Sequence, residues 1–355
     1  MLIGHRQLGQ GPGHRRRIVA RTMRPVARHA RQRIQSPIMN GGSGPVGGGL
    51  AYADPRYAAS LREFGTPVEL PGCEGWALRR TIPGTPFIDA MGCYPLFSCR
   101  NWSRLDEDIG DLADDLVSIT LVTDPFASPS ATELRDAFDV VIPYKDHFLI
   151  DLDLPAEAVV ARHHRKSARK ALRLLTIEAY DPSAELETWC ELFGHLVEKH
   201  RINGIRSFSP AAFAAQARLD GLVGLKASLG DTVLGMHWYL TAGDVVYAHL
   251  AALHPDSYGV YASHGMFWTA IEMFAGSYRW LDLGAGAGSR NAGQDGLTQF
   301  KSTWSSDRAA TFVCGKILDR DRYHALTSGD QAGRPDYFPA YRYGEFVPGL
   351  VGSKS

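Results

Sequence analysis

Three apolar segments follow one another between residues 221 and 253, with only short turns between them. They are GLVGLKASL, TVLGMHWYLT and DVVYAHLAAL, and the turns contain Gly230-Asp231 and Gly243-Asp244. Gly-Asp pairs are typical of tight hairpin turns, whereas neighbouring strands of a parallel sheet need a crossover connection, usually a helix. This part of the chain is therefore predicted to be an antiparallel meander, which excludes a doubly wound, all-parallel sheet.

Strand and helix patterns alternate over the rest of the chain. Branched apolar runs predict strands, and apolar residues spaced three to four apart after Ser, Asp or Pro predict helices. The predicted strands are EGWALRRTIPG, TPFIDAMGCYPLF, VSITLVTDPF, HFLIDLDL, YRWLDLGA and AATFVCGKIL. The predicted helices are DPRYAASLREFG, SRLDEDIGDLADDL with Ser103 as its cap, ATELRDAFDVV, PAEAVVARHHRKSARKALRLL as one helix, AELETWCELFGHLVEKHRI, SPAAFAAQARLD and MFWTAIEMFAG. Two such halves in succession predict a mixed α/β (α+β) architecture.

The charge of the chain is distributed unevenly. The 355 residues carry 38 basic and 38 acidic side chains, yet residues 1–50 hold nine Arg and no acid. Subtracting those nine leaves 29 basic against 38 acidic side chains, which argues against a globally basic nucleic-acid-binding protein. Residues 1–50 are predicted to be a disordered Arg/Gly-rich extension. Their composition also suits a transit peptide or a nucleic-acid arm, and a start at Met39 would leave most of them out.

The cysteines and the hydropathy pattern favour a cytoplasmic protein. The five cysteines are scattered and form no CxxC pair and no Cys/His cluster at zinc spacing, so reduced thiols and no metal site are expected. No run of about 18 apolar residues occurs, so no membrane span is predicted. The cysteines are Cys73, Cys93, Cys99, Cys190 and Cys314.

The glycine pattern of LDLGAGAG, residues 281–288, is typical of the loop with which methyltransferases hold S-adenosylmethionine. That loop needs several further strand–helix units after it. Only 67 residues follow Gly288, they do not alternate strand and helix, and the glycines lead into the loop composition SRNAGQDG. A glycine pattern without its structural context is weak, so a methyltransferase is not expected.

An ordered set of segments points to a different family. The set comprises the basic helix HHRKSARKALR, EKHRINGIRSFSPAAF, the strands LGMHWYL and VVYAHLAAL, the loop PDSYGVYASHG, LDLG and GLTQFKSTW. In this order they resemble the GNAT-type acyltransferase module of the FemAB-like family, which acts in peptidoglycan-bridge and exopolysaccharide metabolism. The most specific elements are Asp282-Leu283-Gly284 and the Gly-Leu-x-x-Phe-Lys motif that ends at Lys301.

The resemblance implies two tandem acyl-CoA N-acyltransferase-like modules with mixed, largely antiparallel sheets. Residues 51–150 would be a degenerate first module, 151–320 the acyltransferase module and 321–355 an aromatic-rich C-terminal tail. The implied function is transfer of an acyl group from acyl-CoA, as co-substrate, to an amine of a cell-envelope or polysaccharide precursor or a small metabolite, with no tightly bound cofactor. The Arg/Gln-x-x-Gly-x-Gly/Ala phosphate signature of the family is not present in the loop PDSYGVYASHG. An aminoacyl-tRNA donor and a non-catalytic GNAT-like scaffold therefore stay open.

The loop before the helix MFWTAIEMF is the candidate for the donor phosphates. Backbone N–H groups at a helix N-terminus bind phosphate, and Tyr258, Gly259, Ser263 and Gly265 are the expected contacts. A plain connection between strand and helix is the alternative.

Acyl transfer to an amine needs a proton acceptor and a group that stabilises the tetrahedral intermediate. The candidates are Lys301, Asp282, His249 and His237. Alternation along antiparallel strands places His237 with Tyr239 and His249 with Tyr247, and all four are expected to share one face of the sheet. Lys301 would bind a phosphate or an oxyanion, or pair with Asp282 as part of the scaffold. A hydrogen-bonded structural role is the ordinary alternative for either histidine.

Two further sets of residues are candidates for substrate contacts. The basic helix carries Arg165 and Arg169, and Arg162, Lys166, Arg169 and Arg173 fall on one helical face. This face would bind an anionic substrate such as a nucleotide sugar, a lipid phosphate or tRNA, unless it is only solvated. Asp89 and Tyr94 in DAMGCYPLF are expected at the cleft between the modules. The aromatic tail is expected to pack against the body of the protein.

Overall fold

The computed structural model describes residues 49–126, 129–286, 296–305, 307–328 and 337–345. Residues 289–295 of the loop SRNAGQDG and all but the last two residues of the predicted extension lie outside these ranges. The described residues form one continuous mixed sheet of eleven strands in the order β1-β2-β3-β4-β11-β5-β10-β9-β8-β7-β6. The strands are β1 (Thr66–Leu70), β2 (Gly75–Thr81), β3 (Ile88–Gly92), β4 (Ser118–Val122), β5 (Val140–Asp151), β6 (Thr176–Tyr180), β7 (Leu222–Leu229), β8 (Thr232–Ala242), β9 (Val245–Leu253), β10 (Trp280–Asp282) and β11 (Asp307–Ile317).

Helices cover both faces of the sheet. They are α1 (Pro55–Ser60), α2 (Leu105–Asp111), α3 (Ala131–Ala137), α4 (Ala156–Val159), α5 (Arg162–Leu174), α6 (Leu186–His200), α7 (Pro210–Gln216), α8 (Ala262–Phe274), α9 (Gly296–Ser302) and α10 (Arg320–Thr327). Helices α1, α6 and α7 pack on one face of the second half, where the rings of Trp189 and Trp238 stack 3.9 Å apart. Helices α5, α8 and α9 cover the opposite face around Phe267 and Trp304.

The strand order shows two halves with the same connectivity. Each half has a three-stranded antiparallel meander, a crossover helix, a strand parallel to the last strand of the meander, a second helix and a long final strand. The parallel pairs are β3–β4 and β9–β10, and the other pairings between these strands are antiparallel. The long final strands β5 and β11 are exchanged, because β5 pairs with β10 of the second half and β11 with β4 of the first. This arrangement confirms the predicted fold class of two tandem modules with a mixed, largely antiparallel sheet.

Several local predictions are confirmed and others are wrong. The meander β7-β8-β9 is antiparallel as predicted, and Ser209 caps α7 by accepting a hydrogen bond from Ala212 N at 3.0 Å. The predicted helix from Pro155 to Leu175 is broken into α4 and α5, since Val160 and Ala161 are extended. Ser103 does not cap α2; its hydroxyl donates to Asn101 Oδ1 instead.

The described part of the tail packs against the first half, as predicted. Arg342 donates two hydrogen bonds to the fully buried carboxylate of Asp89, at 2.5 and 2.8 Å, and Tyr341 donates a third. Phe338 lies directly over Gly315 on β11. All five cysteines are free thiols. Among the described residues, no helix combines the length and the apolar character needed to cross a membrane.

Candidate active site

A gap opens in the sheet where β9 and β10 diverge. The parallel register of these strands ends at the pair Tyr247–Asp282. Beyond it, β9 continues along β8 to Leu253, whereas the chain after Asp282 follows β5, with Leu283 N donating to Phe148 O at 2.9 Å. The edge of β9 that faces β10 therefore loses its strand partner at the centre of the sheet.

The equivalent place in the first half is closed by the chain itself. After β3 the chain returns to β4 at Phe97, whose N–H donates to Val122 O at 2.7 Å and whose carbonyl accepts from Asp124 N at 3.2 Å. The Phe97 ring is buried. Of the two halves, only the second thus keeps a gap between its parallel strands in the described chain.

Lys301 reaches the gap from helix α9. Its Nζ donates to Ala285 O at 2.7 Å, three residues beyond Asp282. Ala161 N donates to Thr303 O at 3.1 Å, and His164 Nε2 lies 2.6 Å from Thr303 Oγ1. Stacking of His164 on Trp304 completes the connection. The segment that carries Lys301 is therefore fixed to the N-terminus of α5.

Asp282 pairs with a histidine that the sequence did not single out. His147 Nδ1 on β5 lies 2.7 Å from Asp282 Oδ2, and Gly284 N donates to Asp282 Oδ1 at 2.7 Å. Within the described chain, Nε2 of His147 has no hydrogen-bond partner. A carboxylate that holds one imidazole nitrogen and leaves the other available is the arrangement of a general base.

His237 and His249 lie on opposite faces of the sheet, so the expectation that they share a face is wrong. His237 packs beneath α8 with Tyr239, whose hydroxyl lies 3.1 Å from its Nδ1. Burial and the positive charge of Lys301 lower the pKa of His237 to about 3. The register separates the two pairs, because Tyr247 lies opposite Leu240, the neighbour of Tyr239, and successive residues of a strand point to opposite faces.

Both ring nitrogens of His249 are occupied on the α1 and α7 side. Tyr52 OH and Gln216 Oε1 each lie 3.2 Å from one of them. Burial lowers the pKa of His249 to about 3. With both nitrogens engaged, this histidine links the elements packed on this face and has no nitrogen available for a substrate proton.

A second buried carboxylate lies on the same face as Asp282. Asp124 Oδ2 accepts hydrogen bonds from the hydroxyls of Ser98 and, at 2.9 Å, Tyr247. Burial raises the pKa of Asp124, and the negative charge of Asp282 raises it further, while the hydrogen bonds act in the opposite direction. Asp124 lies two residues after β4, and Asp282 is the last residue of β10, the equivalent strand of the other half.

Two lysines lie close to the tyrosines of the loop before α8. Lys199 Nζ lies 4.7 Å from the ring centroid of Tyr258, and Lys170 Nζ lies 4.7 Å from that of Tyr261. No side chain caps the helix, and within the described chain the amides of Ala262 and Ser263 have no acceptor. Free amides at a helix start next to cations form a phosphate-binding arrangement.

The two candidate glycines of this loop differ. Gly259 is exposed, and a Cβ there would lie 3.8 Å from Asp256 O. Gly265 is buried inside α8, and a Cβ there would lie 2.5 Å from Ile177 Cδ1 and 3.0 Å from Ala171 Cβ. Gly265 thus serves the packing of α8 on α5 and β6.

The candidate substrate residues are spread over three places. Asp89 is fully buried in its ion pair with Arg342. Tyr94 reaches the second half, with its ring 6.0 Å from that of Phe208. Arg165 and Arg169 lie on α5, where Arg169 is exposed and Arg165 half-buried. A separate cavity of about 490 Å³ in the first half is lined by Trp102, Ile109 and Leu134, among others, and by none of the candidate residues.

Comparison with known proteins identifies the second half. Residues 159–302 match the family model of the acetyltransferase (GNAT) domain, a segment that includes Asp282 and Lys301 and stops short of His147. Residues 159–302 therefore form a GNAT-type acetyltransferase domain. No curated protein matches the sequence of the chain significantly.

Solved structures show a likeness in fold that covers both halves of the chain. FemX is similar with a TM-score of 0.53 and 13% identity, covering 76% of this chain and 93% of FemX. The C-terminal domain of a putative lysylphosphatidylglycerol synthetase from Agrobacterium fabrum is similar with a TM-score of 0.54 and 12% identity. The match covers 77% of this chain and 90% of that domain. L-PGS from Bacillus licheniformis is similar with a TM-score of 0.51 and 11% identity, and the match covers 78% of this chain and 94% of L-PGS. At these identities the likeness concerns the fold.

Proposed function

We propose that this acyltransferase moves an acyl group from an acyl-CoA thioester to an amine of a cell-envelope or polysaccharide precursor or a small metabolite. The observation that carries the proposal is the gap between β9 and β10, with Lys301 and the His147–Asp282 pair beside it. We assign the donor site to the second half, residues 151–320, and regard residues 51–150 as a degenerate module, since Phe97 closes the equivalent place there.

The shape of the gap supports a thioester of coenzyme A. An unpaired strand edge binds an extended chain through N–H and C=O groups, and the pantetheine arm of coenzyme A offers two amides for such pairing. Phosphates at the outer end of that arm would bind the amides of Ala262 and Ser263, with Tyr258 and Gly259 beside them. Lys170 and Lys199 would supply positive charge there.

Each step of the reaction has a candidate group. The amine nitrogen attacks the thioester carbonyl, and the ammonium group of Lys301 stabilises the oxyanion that forms. His147 Nε2 accepts the proton of the attacking nitrogen, while Asp282 orients the ring and stabilises the imidazolium. Collapse of the intermediate breaks the C–S bond, and the thiolate takes up the proton, leaving the amide and free coenzyme A.

An aminoacyl ester donor is the second candidate. The likeness of both halves to lysylphosphatidylglycerol synthetase domains supports it, because the name of those proteins describes the transfer of an aminoacyl group to a lipid. The same gap, base and cation would serve this reaction, with the ribose hydroxyl of tRNA as leaving group in place of the thiolate.

Donor binding is tested by thermal unfolding of the full chain with acetyl-CoA, longer acyl-CoAs, aminoacyl-tRNA and S-adenosylmethionine, because a ligand that binds the native state raises Tm. We expect an acyl-CoA to raise Tm. Stabilisation by aminoacyl-tRNA alone would select the second candidate. Stabilisation by S-adenosylmethionine alone, or by no donor, would contradict acyl transfer, and the latter result would favour a non-catalytic scaffold.

Lys301→Ala tests the chemical step. We expect turnover to fall by about a hundredfold or more, as for the loss of an oxyanion-stabilising group, with little change in Tm. Lys316→Ala on β11, which removes an exposed ion pair with Asp106, is the matched control and should keep full activity. Unfolding of Lys301→Ala would show instead that Lys301 supports the loop that starts at Gly284.

A further inference from the structure

Helix α5 presents a stripe of positive charge to solvent. Its exposed cations are Arg162, Lys166, Arg169, Lys170 and Arg173. The helix contains no acidic residue, and none of these cations forms an ion pair with another described residue. An uncompensated stripe of this kind attracts an anionic partner.

Exposed leucines flank the C-terminal end of the same stripe. Leu172 and Leu174 are 39% and 47% exposed on α5, and Leu229 is 46% exposed at the turn between β7 and β8. The pairing of β6 with β7 brings these leucines close together, because Thr176, two residues after Leu174, pairs with Ser228, the residue before Leu229. Three of the seven exposed large apolar side chains in the described chain thus lie at one end of one basic helix.

We propose that α5 and the β7–β8 turn form a docking surface for an anionic lipid bilayer. Clustered Lys and Arg are attracted to anionic headgroups, and apolar side chains beside them gain by entering the boundary between headgroups and acyl chains. A nucleic acid would bind the cations but would have no use for exposed leucines. Single-stranded RNA stacks its bases on aromatic side chains, and RNA duplexes are bound through phosphate and sugar contacts. The leucines therefore favour a lipid surface. The inference does not depend on acyl transfer.

Docking through α5 would place the candidate active site close to the membrane surface. Helix α5 packs against α8, and Ala161 and His164 at its N-terminus hold the segment that carries Lys301. An amine acceptor that is attached to a lipid would then lie near the proposed catalytic groups.

Vesicle co-sedimentation of the full chain tests this surface. The probes are vesicles of phosphatidylcholine alone and of equal parts phosphatidylcholine and phosphatidylglycerol. We expect binding to the mixed vesicles only. Arg169→Glu with Arg173→Glu should lower the partition coefficient by about 25-fold or more, and Leu172→Ser with Leu174→Ser by roughly tenfold. Arg62→Glu with Arg135→Glu, which reverses two exposed charges elsewhere, is the matched control and should bind as wild type does.

Other outcomes overturn the proposal. Absence of binding to the mixed vesicles would do so directly. Binding that both α5 variants retain would belong to another basic segment, such as residues 1–50. Loss of binding in the charge variant but not in the leucine variant, together with RNA binding that depends on Arg169 and Arg173, would assign the stripe to nucleic acid.

Discussion

The pairing of His147 with Asp282 gives the proposed reaction its proton acceptor. His147→Gln is expected to lower kcat by about a hundredfold or more, because general-base catalysis contributes on that scale. Asp282→Asn should show a loss of similar size, since an amide does not hold the imidazole in the same tautomer. The measurement is the pH profile of kcat/KM for both variants, with KM for the donor expected to change little.

His200→Gln is the matched control, because His200 is exposed at the end of α6. It should keep the wild-type pH profile. If His147→Gln also kept wild-type kcat and profile, the pair would be part of the scaffold and the base would have to be sought elsewhere.

The sequence identified Asp282 as a candidate but not His147, the residue with which it pairs. Asp282 and Lys301 belong to a motif that resembles a known family, whereas His147 belongs to a strand of the first half. Exchange of the final strands brings β5 beside β10, and strand exchange leaves no local signal in sequence. The only indication in the sequence was that His147 directly precedes the apolar segment FLID. This position does not show which strand will pair with β5.

At the level of elements, Gly265 fixes how closely α8 approaches α5 and β6. Gly265→Val should lower the free energy of unfolding by about 1–3 kcal/mol, the usual cost of overpacking a core, because its side chain would clash with Ile177. Gly259→Ala, at an exposed position with ordinary backbone angles, is the control and should change stability little. Urea unfolding of both variants measures the difference. Equal stabilities would contradict the packing role of Gly265.

The break between α4 and α5 shows where element prediction stops. Residues 155–175 have the composition of one helix, but Ala161 N donates to Thr303 O and Val160 is buried. These tertiary contacts outweigh the helix propensity of Val160 and Ala161, since propensity contributes well under about 1 kcal/mol per residue. The partner lies 142 positions further along the chain, so a local pattern cannot reveal it.

At the scale of the whole molecule, the mixed α/β architecture could be predicted from local signals, such as the meander and its turn residues, whereas the two tandem modules were implied by the resemblance to a known family. The contacts between the halves could not be predicted, since they depend on the three-dimensional meeting of distant residues. Asp124, Tyr247 and Asp282 illustrate this, because each lies at or near the end of a predicted strand and only the assembled sheet brings them onto one face.

Four histidines with lowered pKa values give the molecule a predictable response to acid. Burial lowers the pKa of His164 and His264 to about 4 and that of His237 and His249 to about 3. The unfolded chain, with pKa values near 6.5, takes up more protons than the folded chain below that pH. Stability is therefore full above about pH 6.5 and falls as the pH drops toward 4, by about 1 kcal/mol per pH unit for each fully buried histidine.

Urea unfolding at several pH values between 4 and 7 tests this response. His164→Gln and His249→Gln should each reduce the slope of the unfolding free energy against pH by the contribution of about one proton. Both variants also lose hydrogen bonds, so they start from a lower stability. His200→Gln should leave the slope unchanged. Asp124 acts in the opposite direction, because its raised pKa makes the folded state bind a proton more tightly than the unfolded chain does, so it offsets part of the loss at the acid end. A slope that neither buried-site variant changes would mean that these histidines are already protonated in the folded protein.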